Sequence, residues 1–397
     1  MSSVERAKRT ILLNGSFGPS LVNFRGSLIR ELVTRGYRVH VTAPDLSAGL
    51  EAELTALGAT AHQIPLCRTG LHPQRDLAYC YALYRLIRHI RADYVIGYTI
   101  KPNIWGSIAA GCAGVPSASM VTGLGFAFIE GEGTNRKLVQ RIAHRLYRAA
   151  TARNEHVVFQ NPDDAADFLA AGCLADAGKI VMVDGSGVDT GHFVPAPLPD
   201  EPRFLLIARL LVSKGIREYA AAAAAVAAAF PDARFFLAGP TDKGPDALSP
   251  TELEDIRAAG VHYLGALDDV RPAIASSSIY VLPSYREGTP RTVLEAMAMG
   301  RPIITSDAPG CREAVVAGDN GLLVPPGDSA GLAEAMRMMA GDAELRKRMG
   351  AASRRIAVAK YEVNKVNSAL LAGLGLFGAA AAETGGCAQA EVSLLPR

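Results

Sequence analysis

The chain is poor in the residues that staple small folds or bind metals. It has six Cys in 397 residues, none in a C-x-x-C pair and none among clustered His. That spacing argues against both a disulfide framework and a zinc site, and reduced thiols in a cytosolic protein are the default expectation. Long apolar runs are missing too. Nothing approaches the ~18 residues of a membrane span, and the alanine tract 220–229 stops at Phe230-Pro231-Asp232. The opening MSSVERAKRT is charged, but Ile11 to Leu13 is too short for a signal-peptide core, so no secretory leader is expected. Any membrane contact is therefore expected from the surface.

With 49% hydrophobic and 20% charged residues, the composition is that of a folded globular protein, and 397 residues exceed one ordinary core. Net charge is only +2, but it is unevenly spread. Residues 1–153 carry 19 Lys and Arg against 9 Asp and Glu, a balance of +10, and the remainder carries 22 against 30, a balance of −8. The first part is expected to face something anionic.

The most informative stretch runs from Ser278 to Pro326. Ile279 to Leu282, closed by Pro283, reads as a buried parallel strand. A turn follows, in which Thr289 is placed to cap a helix and Pro290 to start it. Thr292 to Met299 are helix formers, Gly300 stops them, and Pro302 to Thr305 is the next strand. In such a strand–helix–strand unit ligands bind at the carboxyl edge, where amides at a helix start favour anions. Gly288 and its neighbours offer those amides, and Glu287 adds a carboxylate that can accept from hydroxyls. A sugar nucleotide presents that pairing.

Glu287 and Glu295, with seven residues between them in SYREGTPRTVLEAMAMGRPIITSDAPGCREAV, resemble the E-x7-E region of retaining glycosyltransferases of family 4. The resemblance implies an α/β GT-B fold, with two Rossmann-like domains facing across a cleft and a C-terminal helix crossing back to the first. It implies that Glu287 contacts the donor sugar and Glu295 the nucleotide ribose, with Gly288, Thr289 and Pro290 beside them. Arg209 and Lys214, in RLLVSKG after the strand Arg203 to Ala208, match the family's basic pair that holds the donor diphosphate. Cations fixed there stabilise the charge gained by the leaving diphosphate. No D-x-D occurs, only the adjacent Asp268-Asp269, so no obligatory metal is expected and the basic pair is expected to replace it. Leu264, at the end of the strand Val261 to Gly265, should border the base.

The first half also alternates strands and helices. Arg9 to Leu13 leads into a Gly-containing loop, a helix Leu21 to Thr34 and the strand Tyr37 to Ala43. The loop has only Gly15 and Gly18, so a nicotinamide site is poorly supported and Asp45 reads as a turn residue. Gly15 is kept as a donor-side candidate. GYTIKPNIWGSIAAGCAGVP and TGLGFAF resemble bacterial family 4 enzymes that extend sugars on polyprenyl diphosphate carriers. By that resemblance Lys101, Asn103, Thr122 and Gly123 are acceptor-side candidates, Lys101 either neutralising an acceptor diphosphate or standing solvated in a loop. One departure is that a His found near the transferred sugar in many family members is replaced here by Thr122-Gly123-Leu124-Gly125. Thr134 to Arg153 is an amphipathic helix whose Arg136, Lys137, Arg141, Arg145 and Arg148 suit an anionic bilayer surface or simple solvation.

Residues 1–194 are read as the first domain, 195–200 as a stiff proline linker, 201–360 as the nucleotide-sugar domain, 361–376 as the crossing helix and 377–397 as a disordered tail. The implied reaction moves a sugar, an N-acetylhexosamine by resemblance, from a UDP-sugar to an undecaprenyl-diphosphate-linked saccharide for surface glycans such as lipopolysaccharide or exopolysaccharide. It would take place on the cytoplasmic face of the inner membrane, with no nucleic-acid partner. Two rivals share the architecture. A UDP-N-acetylglucosamine 2-epimerase would line the cleft with acidic and His residues, and a non-catalytic scaffold would not keep Arg209, Lys214, Glu287 and Glu295 together.

Overall fold

The computed structural model describes residues 9–68, 70, 72–124, 134–244 and 246–377, without the side chains of 134–136. The tail from 378 onward, Gly125 to Phe128 of the TGLGFAF string and the Arg136 side chain lie outside the described residues.

Short runs of Ile, Leu and Val, buried on both faces, are suited to the middle of parallel sheets. β1 (Thr10–Asn14), β2 (Arg38–Ala43), β3 (Ala59–Gln63), β4 (Tyr94–Tyr98), β5 (Ser117–Val121), β6 (His156–Phe159) and β7 (Ile180–Met182) form one sheet in the order β3-β2-β1-β4-β5-β6-β7. Its crossovers are α1 (Gly18–Asn23), α2 (Gly26–Thr34), α3 (Ala48–Ala56), α4 (Pro73–Ile90), α5 (Ile100–Ala113), α6 (Thr134–Thr151) and α7 (Pro162–Ala170). A second sheet, in the order β10-β9-β8-β11-β12-β13, uses β8 (Arg203–Ile207), β9 (Arg234–Ala238), β10 (Val261–Tyr263), β11 (Ile279–Leu282), β12 (Ile303–Ser306) and β13 (Gly321–Val324). Its helices are α8 (Ile216–Ala227), α9 (Pro250–Ala258), α10 (Arg271–Ala275), α11 (Arg291–Ala298), α12 (Ser329–Gly341) and α13 (Ala343–Lys360), and α14 (Val363–Gly373) closes the chain. Most of the alanine tract, 220–227, lies within α8, where Ala222 and Ala223 are fully buried and let the helix pack closely on α12.

Both sheets reverse direction beside their first strand. β1 lies between β2 and β4, and β8 between β9 and β11. Loops leaving the carboxyl ends of these strand pairs diverge and open a crevice, which fixes where a ligand can sit in each half.

Two expected elements differ. The helix expected over Leu21 to Thr34 is broken into α1 and α2 at Phe24-Arg25, because Arg25 leaves helical geometry and turns inward until only 4% of it is exposed. Asp45 accepts the Gly18 amide at 2.7 Å, so its carboxylate serves the start of α1. The last helix begins at Val363, with Glu362 accepting from the amides of Asn364 and Lys365. It lies against α2 and β7, and Leu370, Leu371 and Leu374 join the core of the first sheet with Ile11 and Leu28. Beside it the chain's two passages between the halves touch, since the Val188 amide donates to Tyr361 and the Val363 amide to Val188.

The proline segment is not free. Arg301, fully buried, donates to the carbonyls of Ala196 and Pro197 and also to those of Ile274, Ala275, Ser277 and Met299. Burial pulls its pKa down to about 10, but the carbonyls at the ends of α10 and α11 keep its charge solvated. Arg301→Ala strands those six acceptors and should lower unfolding free energy by on the order of 3–5 kcal/mol. Urea unfolding checks this, and a loss under about 1 kcal/mol would mean that water replaces the guanidinium.

Candidate active site

The loops after β8 and β11 meet at the crevice of the second sheet. Gly215, at φ 72°, is the contact point, since a Cβ there would stand 2.1 Å from the Pro283 carbonyl oxygen. Only glycine permits that backbone and that approach. The Tyr285 amide then donates to Ser213 at 2.9 Å, and the two loops run side by side. This brings Lys214 Nζ to 2.5 Å from Glu287 Oε1, which also accepts from Ser284 Oγ at 2.8 Å. Both side chains of the pair are largely shielded, 18% and 15% exposed. Arg209 lies at the open rim, 60% exposed, with Nη1 3.0 Å from Asp242 Oδ2. Two cations therefore stand before α8, each held by a carboxylate that an arriving anion can displace or share.

Thr289 does not cap α11. Pro290 occupies the cap position with no side-chain bond, and the Thr289 hydroxyl donates instead to the Gln160 carbonyl of the first half at 3.3 Å. The amides of Gly288 and Thr289 have no acceptor among the described residues. Gly288 is pressed against the first half, where a Cβ would lie 2.3 Å from the Thr122 carbonyl oxygen, and Asn161 Nδ2 donates to its carbonyl at 2.8 Å. Thr122 and Gly123 are thus beside the loop that carries Glu287. Leu264 follows β10 at the same carboxyl edge as Arg209, 41% exposed.

Two of the expected residues, Lys101 and Asn103, are placed differently. Lys101 is neither solvated nor turned to a ligand: it begins α5, is buried, and its ammonium meets the buried Asp76 carboxylate at 2.7 Å. Asn103 is fully buried and donates to the Met120 carbonyl, bracing α5 on β5. The Gly15 amide is already bonded to Thr42, and the glycine is needed because Tyr98 Oη would lie 2.3 Å from a Cβ. The loop after β4, also at the first sheet's crevice, holds Thr99 at φ 71°, a strained value for a β-branched residue.

The sequence reading missed the contacts that hold the halves together. Arg286 Nη2 meets Asp164 at 2.5 Å and Asp167 at 2.7 Å, and Arg312 Nη1 meets Asp163 at 2.5 Å. All three acids come from NPDDAAD at the start of α7, where the run itself was the available signal.

Glu295 sits in the second turn of α11, 6% exposed, with Oε1 2.8 Å from Arg291 Nε. Burial pushes its carboxyl up to about 7, against the opposing pull of Arg291. The folded chain keeps a proton that the unfolded chain, with this carboxyl near 4.5, has lost. The associated stability is therefore complete below about 4.5 and disappears as pH rises through about 7. Relative to wild type, Glu295→Gln should gain stability across that window, by at most about 3 kcal/mol. Urea unfolding of both proteins at about pH 5 and about pH 8 measures the difference, and one independent of pH would show that Glu295 stays ionised throughout.

Residues 23–184 match the glycosyl transferase 4-like domain family and residues 201–342 the glycosyl transferases group 1 family. The chain is 30% identical over 344 residues to the N,N'-diacetylbacillosaminyl-diphospho-undecaprenol alpha-1,3-N-acetylgalactosaminyltransferase of Campylobacter jejuni, covering 83% of this chain and 89% of that protein. It is 28% identical to the UDP-Gal:alpha-D-GlcNAc-diphosphoundecaprenol alpha-1,3-galactosyltransferase of Escherichia coli, over 62% of this chain and 65% of that one. Among solved structures, HepE of Anabaena in complex with UDP and glucose superposes with a TM-score of 0.75 at 17% identity, over 92% of this chain and 99% of that one. Two parallel sheets with paired crevices, the loops that join Lys214 to Glu287, and these matches place the chain in glycosyltransferase family 4, with the GT-B fold.

Proposed function

We propose that this glycosyltransferase moves a sugar, an N-acetylhexosamine, from a UDP-sugar to an undecaprenyl-diphosphate-linked saccharide, with retention at the anomeric carbon. The observation that carries this reading is the Lys214–Glu287 pair, set at the second sheet's crevice in a loop that touches Thr122 and Gly123. The printed activities of the Campylobacter and Escherichia relatives, both on diphosphoundecaprenol-linked sugars, support the acceptor class.

The donor diphosphate takes the place of Asp242 beside Arg209 and shares Lys214 with Glu287, assisted by the amides of Gly288 and Thr289. Glu287, held at one oxygen by Lys214 and Ser284, turns its other oxygen to sugar hydroxyls. Glu295 accepts from the ribose. In the transfer the bond from the anomeric carbon to the diphosphate oxygen breaks, and an acceptor hydroxyl bonds to that carbon from the same face. Its proton passes to the departing diphosphate oxygen. Lys214 and Arg209 stabilise the charge gained by the leaving group, with no divalent ion required.

The same reading places the enzyme on the cytoplasmic face of an anionic membrane. α6 packs Ala143, Tyr147 and Ala150 inward and leaves Lys137, Leu138, Arg141, Arg145 and Arg148 exposed. No helix among the described residues is long and apolar enough to cross a bilayer. A surface seat fits such a face, each cation contributing up to about 1 kcal/mol.

Incubating a panel of UDP-sugars with lipid-linked acceptors, and reading the product linkage by NMR, tests the reaction; donor turnover without acceptor would favour an epimerase instead. Lys214→Ala should lower kcat with a loss of about 2–4 kcal/mol of transition-state stabilisation, and unchanged turnover would remove Lys214 from the mechanism. Initial rates should survive EDTA; complete loss restored by Mg²⁺ or Mn²⁺ would overturn the metal-free reading. Replacing Arg141, Arg145 and Arg148 together by Gln should release the protein from anionic vesicles and slow transfer to a full-length polyprenyl acceptor more than to a short soluble one. Unaltered co-sedimentation would assign those arginines to a solvated face.

A further inference from the structure

Among the described residues three arginines are buried: Arg25, Arg301 and Arg346. Two are solvated by the fold. Arg301 donates to six carbonyls, and Arg346 to those of Met339, Ala340 and Asp200. Arg25 is not. Its Nη1 reaches only the Ser186 hydroxyl, at 3.3 Å, its guanidinium lies 5.1 Å from the centre of the Tyr98 ring, and its buried Nε has no acceptor. No carboxylate pairs with it among the described residues. A desolvated cation so poorly matched is costly, and a fold that needed only packing would keep an apolar side chain there.

Its surroundings say what is missing. Ser186 Oγ also accepts from Gln160 Nε2 at 3.4 Å, and the Gln160 carbonyl accepts from Thr289. Arg25 is therefore linked through Ser186 and Gln160 to the loop that carries Glu287. From the second half Arg291 lies over the ring of Phe24, 5.0 Å from its centre, and its charge acts on Arg25 in the same unfavourable direction as burial does. The second half thus sets the Arg291 guanidinium within electrostatic reach of Arg25, with Glu295 ion-paired to Arg291. An anion between them would match the second charge, and the planar guanidinium fork suits phosphate oxygens.

We propose that Arg25, facing Arg291 across the cleft, holds a diphosphate group of a substrate. This rests on the transferase reading above, which supplies two sources of that group, the sugar nucleotide and the lipid-linked acceptor. The break between α1 and α2 is then a binding feature, which turns one side chain out of a helix pattern and into the cleft. Arg25 links occupancy to closure, because an anion between the two guanidinium groups supplies charge compensation beyond what Glu295 gives Arg291.

The test compares wild type, Arg25→Met, Arg25→Lys and Lys214→Ala by calorimetric titration with UDP and with geranyl diphosphate, and by melting temperature without ligand. Arg25→Met should melt no lower than wild type and should bind at least one of the two probes tenfold or more weakly. Loss for UDP assigns the donor, and loss for geranyl diphosphate assigns the acceptor. Arg25→Lys, which keeps the charge without the fork, should bind with intermediate affinity. If Lys214→Ala weakens UDP while Arg25→Met binds both probes as wild type does, the transferase reading stands and this proposal falls. Should Arg25→Met fail to fold while Arg25→Lys binds both probes as wild type does, the proposal is equally overturned, because the fork then has no ligand. A wild type that binds neither probe removes the transferase reading and this proposal with it.

Discussion

The ion pair between Lys214 and Glu287 joins the two loops that leave the second sheet where its strand order reverses. Much of the cleft's geometry follows from that junction. Gly215 lets the Lys214 loop lie on Pro283, and Ser284 shares the Glu287 oxygen that Lys214 holds. With Glu287 fixed, Gly288 and Thr289 reach the first half, where Thr122, Gln160 and Asn161 receive them. A charged pair this shielded is worth little for stability, because desolvation offsets most of its attraction. Its effect is positional: it holds a carboxylate and an ammonium side by side at the crevice.

The opposite wall is positioned by electrostatics of a second kind. Asp164 is completely buried, and burial pushes its carboxyl up against the pull of Arg286 and Asn161. Its charge is met only while the Arg286 loop is docked, with Asp163 and Arg312 alongside. Separation of the halves would leave both sets of charges to water, so closure exchanges solvation for pairing at small net gain. Contacts of this kind can separate without breaking a hydrophobic core. The adjacent chain passages at Val188 and Tyr361 leave few backbone contacts to resist that motion.

The alternation of short aliphatic strands with helices was legible along the chain, and so was the strand–turn–helix unit around Glu287, because its signals are local: period, Gly and Pro. The GT-B architecture followed from the resemblance carried by that unit. What the sequence did not disclose was pairing between distant residues. Lys101 before Pro102 looks like a loop cation until Asp76 is found 25 residues upstream in a buried pair. NPDDAAD looks like a helix start, and Asn161 does cap it, but its acids are used 119 to 149 residues away. Arg25 was hidden by the helical pattern on both sides of it. Thr289 has the right residue type and place for a cap, and tertiary contact with Gln160 took its hydroxyl instead.

Co-crystallisation with UDP tests the central claim, that this loop junction is the donor site. The account predicts the diphosphate against Lys214 and Arg209, with Asp242 released from Arg209, the ribose hydroxyls on Glu295 and the base by Leu264. UDP bound elsewhere, or bound there with the ribose turned away from Glu295 and both ion pairs intact, would contradict it.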